Sequence, residues 1–256
     1  MKCSEIISIL EALSPRKYAC DWDNPGLNVG HYDKDISKVL VTLDCDDGAI
    51  DKAIEIGADL IVSHHPLIFG KLKKVNDDSL AGRRVLKLIE NGIACYCMHT
   101  NFDIKGGMAA LAAEYIGMKN PKILEPTTEC EGLGRWDEFE KATVGEWCNR
   151  VKNAFELDNV KVFGKLDSEV NRIAIAPGSG KESVELAVDM GLNLIITGDV
   201  GHHTGIDAVA QGCNVIDAGH YGVEKIFIDF ICRFLGEETK DIEVVKYEQP
   251  APFAVV

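Results

Sequence analysis

A chain of 256 residues, 46% hydrophobic and 27% charged, has ordinary globular composition and length for one large or two small domains. Its 27 basic and 41 acidic residues leave −14 with histidines neutral, a field that opposes non-specific nucleic-acid or anionic-membrane binding. Nine scattered cysteines without a C-x-x-C pair, a start (Met1-Lys2-Cys3-Ser4-Glu5) without signal-peptide pattern, and no apolar stretch near the ~20 residues of a bilayer span predict a soluble, cytoplasmic protein with reduced thiols.

In chain order, Asp21-Trp22-Asp23-Asn24-Pro25-Gly26-Leu27-Asn28-Val29-Gly30 is dense in turn residues around one large aromatic, which predicts a packed loop lining a cleft. Residues 39–43 read as a strand and 47–56 as a helix. The run Gly57-Ala58-Asp59-Leu60-Ile61-Val62-Ser63 is a buried strand that ends in His64-His65-Pro66. Lys71, Lys73, Lys74, Arg83 and Arg84 follow as a basic cluster, most simply a solvated face and otherwise cations for an anionic substrate. A strand over 93–98, with Cys95 and Cys97 as small core residues on one side, ends in His99-Thr100-Asn101-Phe102-Asp103. Residues 121–169 are mixed, with an amphipathic helix predicted over 143–155.

The chain then repeats itself at a constant offset of 134, which aligns Ala53 with Ala187, Gly57 with Gly191, Leu60 with Leu194 and Ile61 with Ile195. Strand 172–176, helix 181–190 and strand 191–197 form the second copy, with Gly198-Asp199 where the first has His64-His65. A further strand ends in Asp217-Ala218-Gly219-His220, residues 221–235 read as a helix, and 242–247 as one last strand. This alternation predicts an α/β fold of two similar lobes, residues 1–120 and 121–256, with mainly parallel sheets and a metal cleft between them.

The three strand ends deliver His64, His65, Asp103, His220 and Glu224, three nitrogens and two carboxylates suited to Zn, Mn, Fe or Ni rather than Ca. Five ligands exceed the need of one catalytic ion, so two divalent cations per chain are expected. Adjacent histidines on a regular strand point to opposite faces, but here the strand is ending at Pro66 and both can reach the crevice. His220 and Glu224, four apart, share one helix face, and a carboxylate so placed can bridge two ions ~3.5–4 Å apart. His99 fits a catalytic proton shuttle, an orienting partner of a ligand, or a structural hydrogen bond. His202, His203 and Asp199 fit the substrate side, and Pro177-Gly178-Ser179-Gly180-Lys181 is a tight strand–helix turn or an anion cradle.

Trp22-Asp23-Asn24-x-Gly26-Leu27, Ser63-His64-His65-Pro66, His99-Thr100-Asn101-x-Asp103, Thr197-Gly198-Asp199 and Asp217-x-Gly219-His220-x-x-x-Glu224 together resemble the Nif-three-like family of GTP cyclohydrolase I type 2 homologs. The resemblance spans the whole chain and implies two α/β lobes and a toroidal homohexamer. It further implies one cation on His65 and Asp103, another on His64 and His220, and Glu224 bridging both. Residues 121–169 leave no room for the inserted domain of larger members, so the compact form is expected. The implied reaction is hydrolytic opening of the guanine ring of GTP, giving formate and 7,8-dihydroneopterin triphosphate. A metal-dependent phosphoesterase and a non-enzymatic metal-binding hexameric scaffold remain as alternatives.

Overall fold

Short, continuously apolar runs bounded by glycine and polar turns dictate strands buried on both faces. The computed structural model describes residues 1–250 and Phe253. In the first unit α1 (Cys3–Leu13) buries Cys3, Ile6, Ile7 and Leu10, one stripe at helical spacing. It is followed by β1 (Gly26–Val29), β2 (Lys38–Thr42), α2 (Asp47–Ile56), β3 (Leu60–Ser63), α3 (Leu80–Glu90), β4 (Ala94–Cys97) and α4 (Thr100–Ile104). Every residue of β3 and β4 is buried, as expected of parallel strands covered on both sides. The Asp46 carboxylate accepts from Ala49 N to start α2, and Gly57 closes that helix in the left-handed conformation.

The second unit carries α5 (Met108–Tyr115), β5 (Lys122–Pro126), β6 (Gly132–Thr143), α6 (Val144–Ala154), β7 (Lys161–Phe163), β8 (Glu169–Ser179), α7 (Lys181–Asp189), β9 (Leu194–Gly198), α8 (His202–Ala210), β10 (Asn214–Asp217) and α9 (His220–Glu224). After it come α10 (Ile226–Glu238) and β11 (Glu243–Lys246). The first sheet runs β1-β4-β3-β2-β11 and the second β5-β6-β8-β9-β10-β7.

The expected α/β architecture of strand–helix repeats is present, with two refinements. The lobe boundary placed between residues 120 and 121 lies instead at 106/107, and the chain returns to the first unit at 226/227. The cause is pairing: β11 adds parallel to β2, and Phe227 packs edge-to-face on Phe102 at 5.1 Å. Parallel order holds for β4-β3-β2-β11 and for β8-β9-β10, while β5, β6, β7 and β1 pair antiparallel. The 121–169 stretch thus supplies an antiparallel flank and the predicted helix α6 rather than a separate domain.

The duplication extends to single hydrogen bonds. Asp59 Oδ2 accepts from the amides of Ser37 and Lys38, and Asn193 Oδ1 accepts from those of Asn171 and Arg172. The antiparallel edge strands β1 and β7 also correspond, and each is followed by a glycine at positive φ, Gly30 (111°) and Gly164 (127°). A Cβ on Gly30 would stand 2.6 Å from Ala94 Cβ and 2.9 Å from Ala94 Cα. Gly30→Ala is therefore expected to lower stability by about 1–3 kcal/mol, read as a reduced urea midpoint at unchanged slope.

Candidate functional site

In the first unit the strand end itself brings two histidines to one side. The amides of both His64 and His65 donate to the Leu43 carbonyl, at 3.1 and 3.0 Å, so the alternation of β3 stops there. Their rings lie 4.9 Å apart, and the His99 ring, at the end of β4, lies 5.3 Å from His64 and 5.5 Å from His65. One ring nitrogen from each of the three falls within 4.8 Å of the others. His64 is fully buried, and His65 and His99 are partly so.

Each of these rings is held at Nδ1 by an oxygen. His64 Nδ1 lies 2.7 Å from the Met98 carbonyl, His65 Nδ1 2.8 Å from Asp44 Oδ1, and His99 Nδ1 2.8 Å from Asp23 Oδ1. A carbonyl oxygen only accepts, so His64 Nδ1 carries the hydrogen and Nε2 keeps the lone pair. In their neutral forms the His65 and His99 rings, each with a carboxylate oxygen at Nδ1, take the same tautomer. Carboxylate or carbonyl on one nitrogen with the second nitrogen presented is the arrangement that orients metal-ligating histidines. Asp103, from α4, adds a carboxylate oxygen 3.5 Å from His64 Nε2. Three imidazole nitrogens and one carboxylate fit a borderline divalent cation.

Asp23 anchors this arrangement. Burial pushes its carboxyl pKa up, but the hydrogen bond from His99, then those of the Thr100 hydroxyl (2.5 Å) and the Asn24 amide, prevail and hold it at about 2. A depressed pKa means that the stabilisation is present above the unfolded value near 4 and is lost as pH falls towards 2. Asp23→Asn should cost about 2 kcal/mol at pH 7, and the gap to the parent should close between pH 4 and 2 in acid-unfolding curves.

In the second unit β10 ends at Asp217 and Gly219, at φ 76°, turns the chain into α9. His220 Nδ1 lies 3.0 Å from Asp199 Oδ2 and its Nε2 3.0 Å from Glu224 Oε2. Glu224 is buried at 3% exposure, and a Cβ on Gly178 would stand 3.0 Å from its Oε1. Gly198 permits a further close approach, since its Cβ would meet His220 N at 2.5 Å. The Thr197-Gly198-Asp199 motif thereby acquires a role: glycine admits the His220 backbone and Asp199 orients its ring. The helix expected over 221–235 is divided at Lys225, with Glu224 closing the first part.

Sequence reasoning missed Asp44, although it follows β2, the strand beside β3, and the strand-end rule applied to β2 points to it. It also missed Asp23 as the partner of His99. His202 and His203 open α8 as exposed side chains. Gly180 N donates to Gly198 O at 2.9 Å, so the glycine-rich segment is a tight strand–helix turn. In the basic cluster Arg84 is taken up by Asp47 at 3.1 Å, which ties α3 to α2. Lys71, Lys73 and Lys74 are exposed and make no ion pair among the described residues.

Residues 1–252 match the family model described as Duf34/NIF3 (NGG1p interacting factor 3). A relative from Clostridium perfringens, named GTP cyclohydrolase 1 type 2 homolog, is 36% identical over 262 aligned positions that cover 100% of both chains. Among solved structures, reduced HcgD from Methanocaldococcus jannaschii is 30% identical with a TM-score of 0.85, covering 96% of this chain and 97% of that one. The Bacillus cereus protein related to NIF3 superposes with a TM-score of 0.92 at 24% identity, covering 100% and 99%, and shares the fold.

Proposed function

Because the chain belongs to the Duf34/NIF3 family, we propose that it is a metal-dependent hydrolase that opens the guanine ring of GTP to give formate and 7,8-dihydroneopterin triphosphate. The observation that carries this reading is the trio His64, His65 and His99, each fixed at Nδ1 by an oxygen so that Nε2 is presented. Asp103 joins these as ligand in the first unit, and His220 and Glu224 supply ligands in the second, for two divalent cations per chain. When bound, such a cation lowers the pKa of coordinated water towards about 7 and polarises a substrate oxygen or nitrogen. Asp44 and Asp23 hold protons at Nδ1 of His65 and His99 and keep those rings in the ligating tautomer. Asp199 does the same for His220. Lys71, Lys73 and Lys74 give an acidic protein the local cations needed beside a triphosphate.

The test is incubation of metal-loaded protein with GTP. Formate, and a fluorescent pterin after oxidation, are expected, with chelator abolishing both. Inorganic phosphate in place of formate would replace this reading with a phosphoesterase, and intact GTP with metal bound would leave a metal-binding scaffold. We further propose a homohexamer of cytoplasmic location, for which light scattering should give a mass near six chains; a monomer at micromolar concentration contradicts it. Among the described residues no helix is long and apolar enough to cross a membrane.

A further inference from the structure

Two large apolar rings stand in solvent beside the imidazole trio. Trp22 is 61% exposed and Phe69 58% exposed, their centroids are 5.8 Å apart, and each lies 6.0 Å from the His99 ring. Isolated exposed hydrophobes are ordinary, but a contiguous aromatic pair is a recognition feature.

Neither ring is on a loose loop. Trp22 is followed by Asp23, whose side chain is fully buried and accepts from His99 Nδ1, Thr100 N and Thr100 Oγ1. Phe69 follows Ile68, whose carbonyl accepts from Asn24 Nδ2 at 2.7 Å and whose amide donates to Asn28 Oδ1 at 3.1 Å. The same Asp21–Gly30 segment thus orients the His99 ring, carries Trp22 and anchors the backbone beside Phe69, and both aromatic rings meet His99 edge-on. The planes meet at 48°, forming a bent apolar platform. Lys71, Lys73 and Lys74 follow Phe69 closely in the chain, exposed and without an ion pair among the described residues. On a chain of charge −14 these are a local exception.

The geometry points to Trp22 and Phe69 as the specificity determinants of the substrate: they take a planar heteroaromatic ring by stacking, and the lysines beside them take its anionic group. A ring stacked there lies against His99 and hence against the histidine trio. This rests on the hydrolase reading given above and names the substrate class as a nucleotide-like molecule, a purine or pterin ring carrying phosphate. Stacking requires a π-face and not a hydrogen-bond pattern, so the pair selects the ring class.

Calorimetric titration of the metal-loaded protein separates the two halves of such a ligand, using guanosine for the ring, inorganic triphosphate for the anion, and GTP for both. Trp22→Ala and Phe69→Ala should each weaken guanosine and GTP by about 10- to 100-fold. They should leave triphosphate affinity and metal content as in the parent. Trp22→Phe should restore most of the loss, and changing Lys71, Lys73 and Lys74 to alanine together should weaken triphosphate and GTP while sparing guanosine. The proposal is overturned if the parent binds no ring-bearing probe, or if both aromatic variants bind guanosine as the parent does. It is equally overturned if those variants change only the oligomeric mass, which would make the rings a contact between copies of the chain. GTP bound with this ring dependence but releasing no formate would sink the hydrolase reading and leave the stacking site standing. Formate release at unchanged KM in both variants would do the reverse.

Discussion

His64→Ala is expected to weaken divalent-metal binding by at least about 100-fold, so that protein recovered from gel filtration carries less metal than the parent. Changes to groups that merely orient a ligand cost about 10–100-fold, and removal of the ligand itself should exceed that. His64 is fully buried and held at Nδ1 by the Met98 carbonyl, so its ring is fixed in one orientation. The variant also leaves a void beside Phe227, whose ring lies 5.2 Å from that of His64. Circular dichroism and the urea midpoint therefore have to accompany elemental analysis. A folded His64→Ala protein with parental metal content would remove this residue from the ligand set.

The second large effect is expected at His99. Its ring nitrogen lies within 4.8 Å of those of His64 and His65, and Asp23 fixes the opposite nitrogen. His99→Ala should therefore lose metal affinity as His64→Ala does, and formate release in the proposed reaction should fall by at least about 100-fold with it. Asp23→Asn should cost about 10–100-fold in affinity, because the ring remains and only its orientation is loosened. Metal retained in His99→Ala with activity lost would make His99 a proton carrier, a role worth about 10²–10⁴ in rate.

Much of this was legible in the chain because its signals are periodic and repeated. The offset of 134 aligned the strand–helix pairs, and each of the predicted strand ends carries the side chains found there. The pairing of strands distant in sequence was not legible. Nothing in Glu243-Val244-Val245-Lys246 says that it will lie parallel to β2, and this contact moves residues 227–250 into the first unit. The edge strands β1 and β7 are four and three residues long, too short for alternation to register, although Gly30 and Gly164 mark both at the repeat offset. At the site, ligand-type residues announce themselves by chemistry, whereas the oxygens that orient them do not. Asp23 and Asp44 look like turn carboxylates until the fold sets them 2.8 Å from an imidazole. The Met98 carbonyl has no signature at all.

If the oriented histidines hold a divalent cation, X-ray absorption on the zinc-loaded protein will show it. The predicted spectrum has nitrogen scatterers at about 2.0–2.1 Å with the outer-shell pattern of imidazole, reduced in amplitude in His64→Ala. A first shell of oxygen alone, or a spectrum indifferent to His64→Ala, would exclude the histidines as ligands.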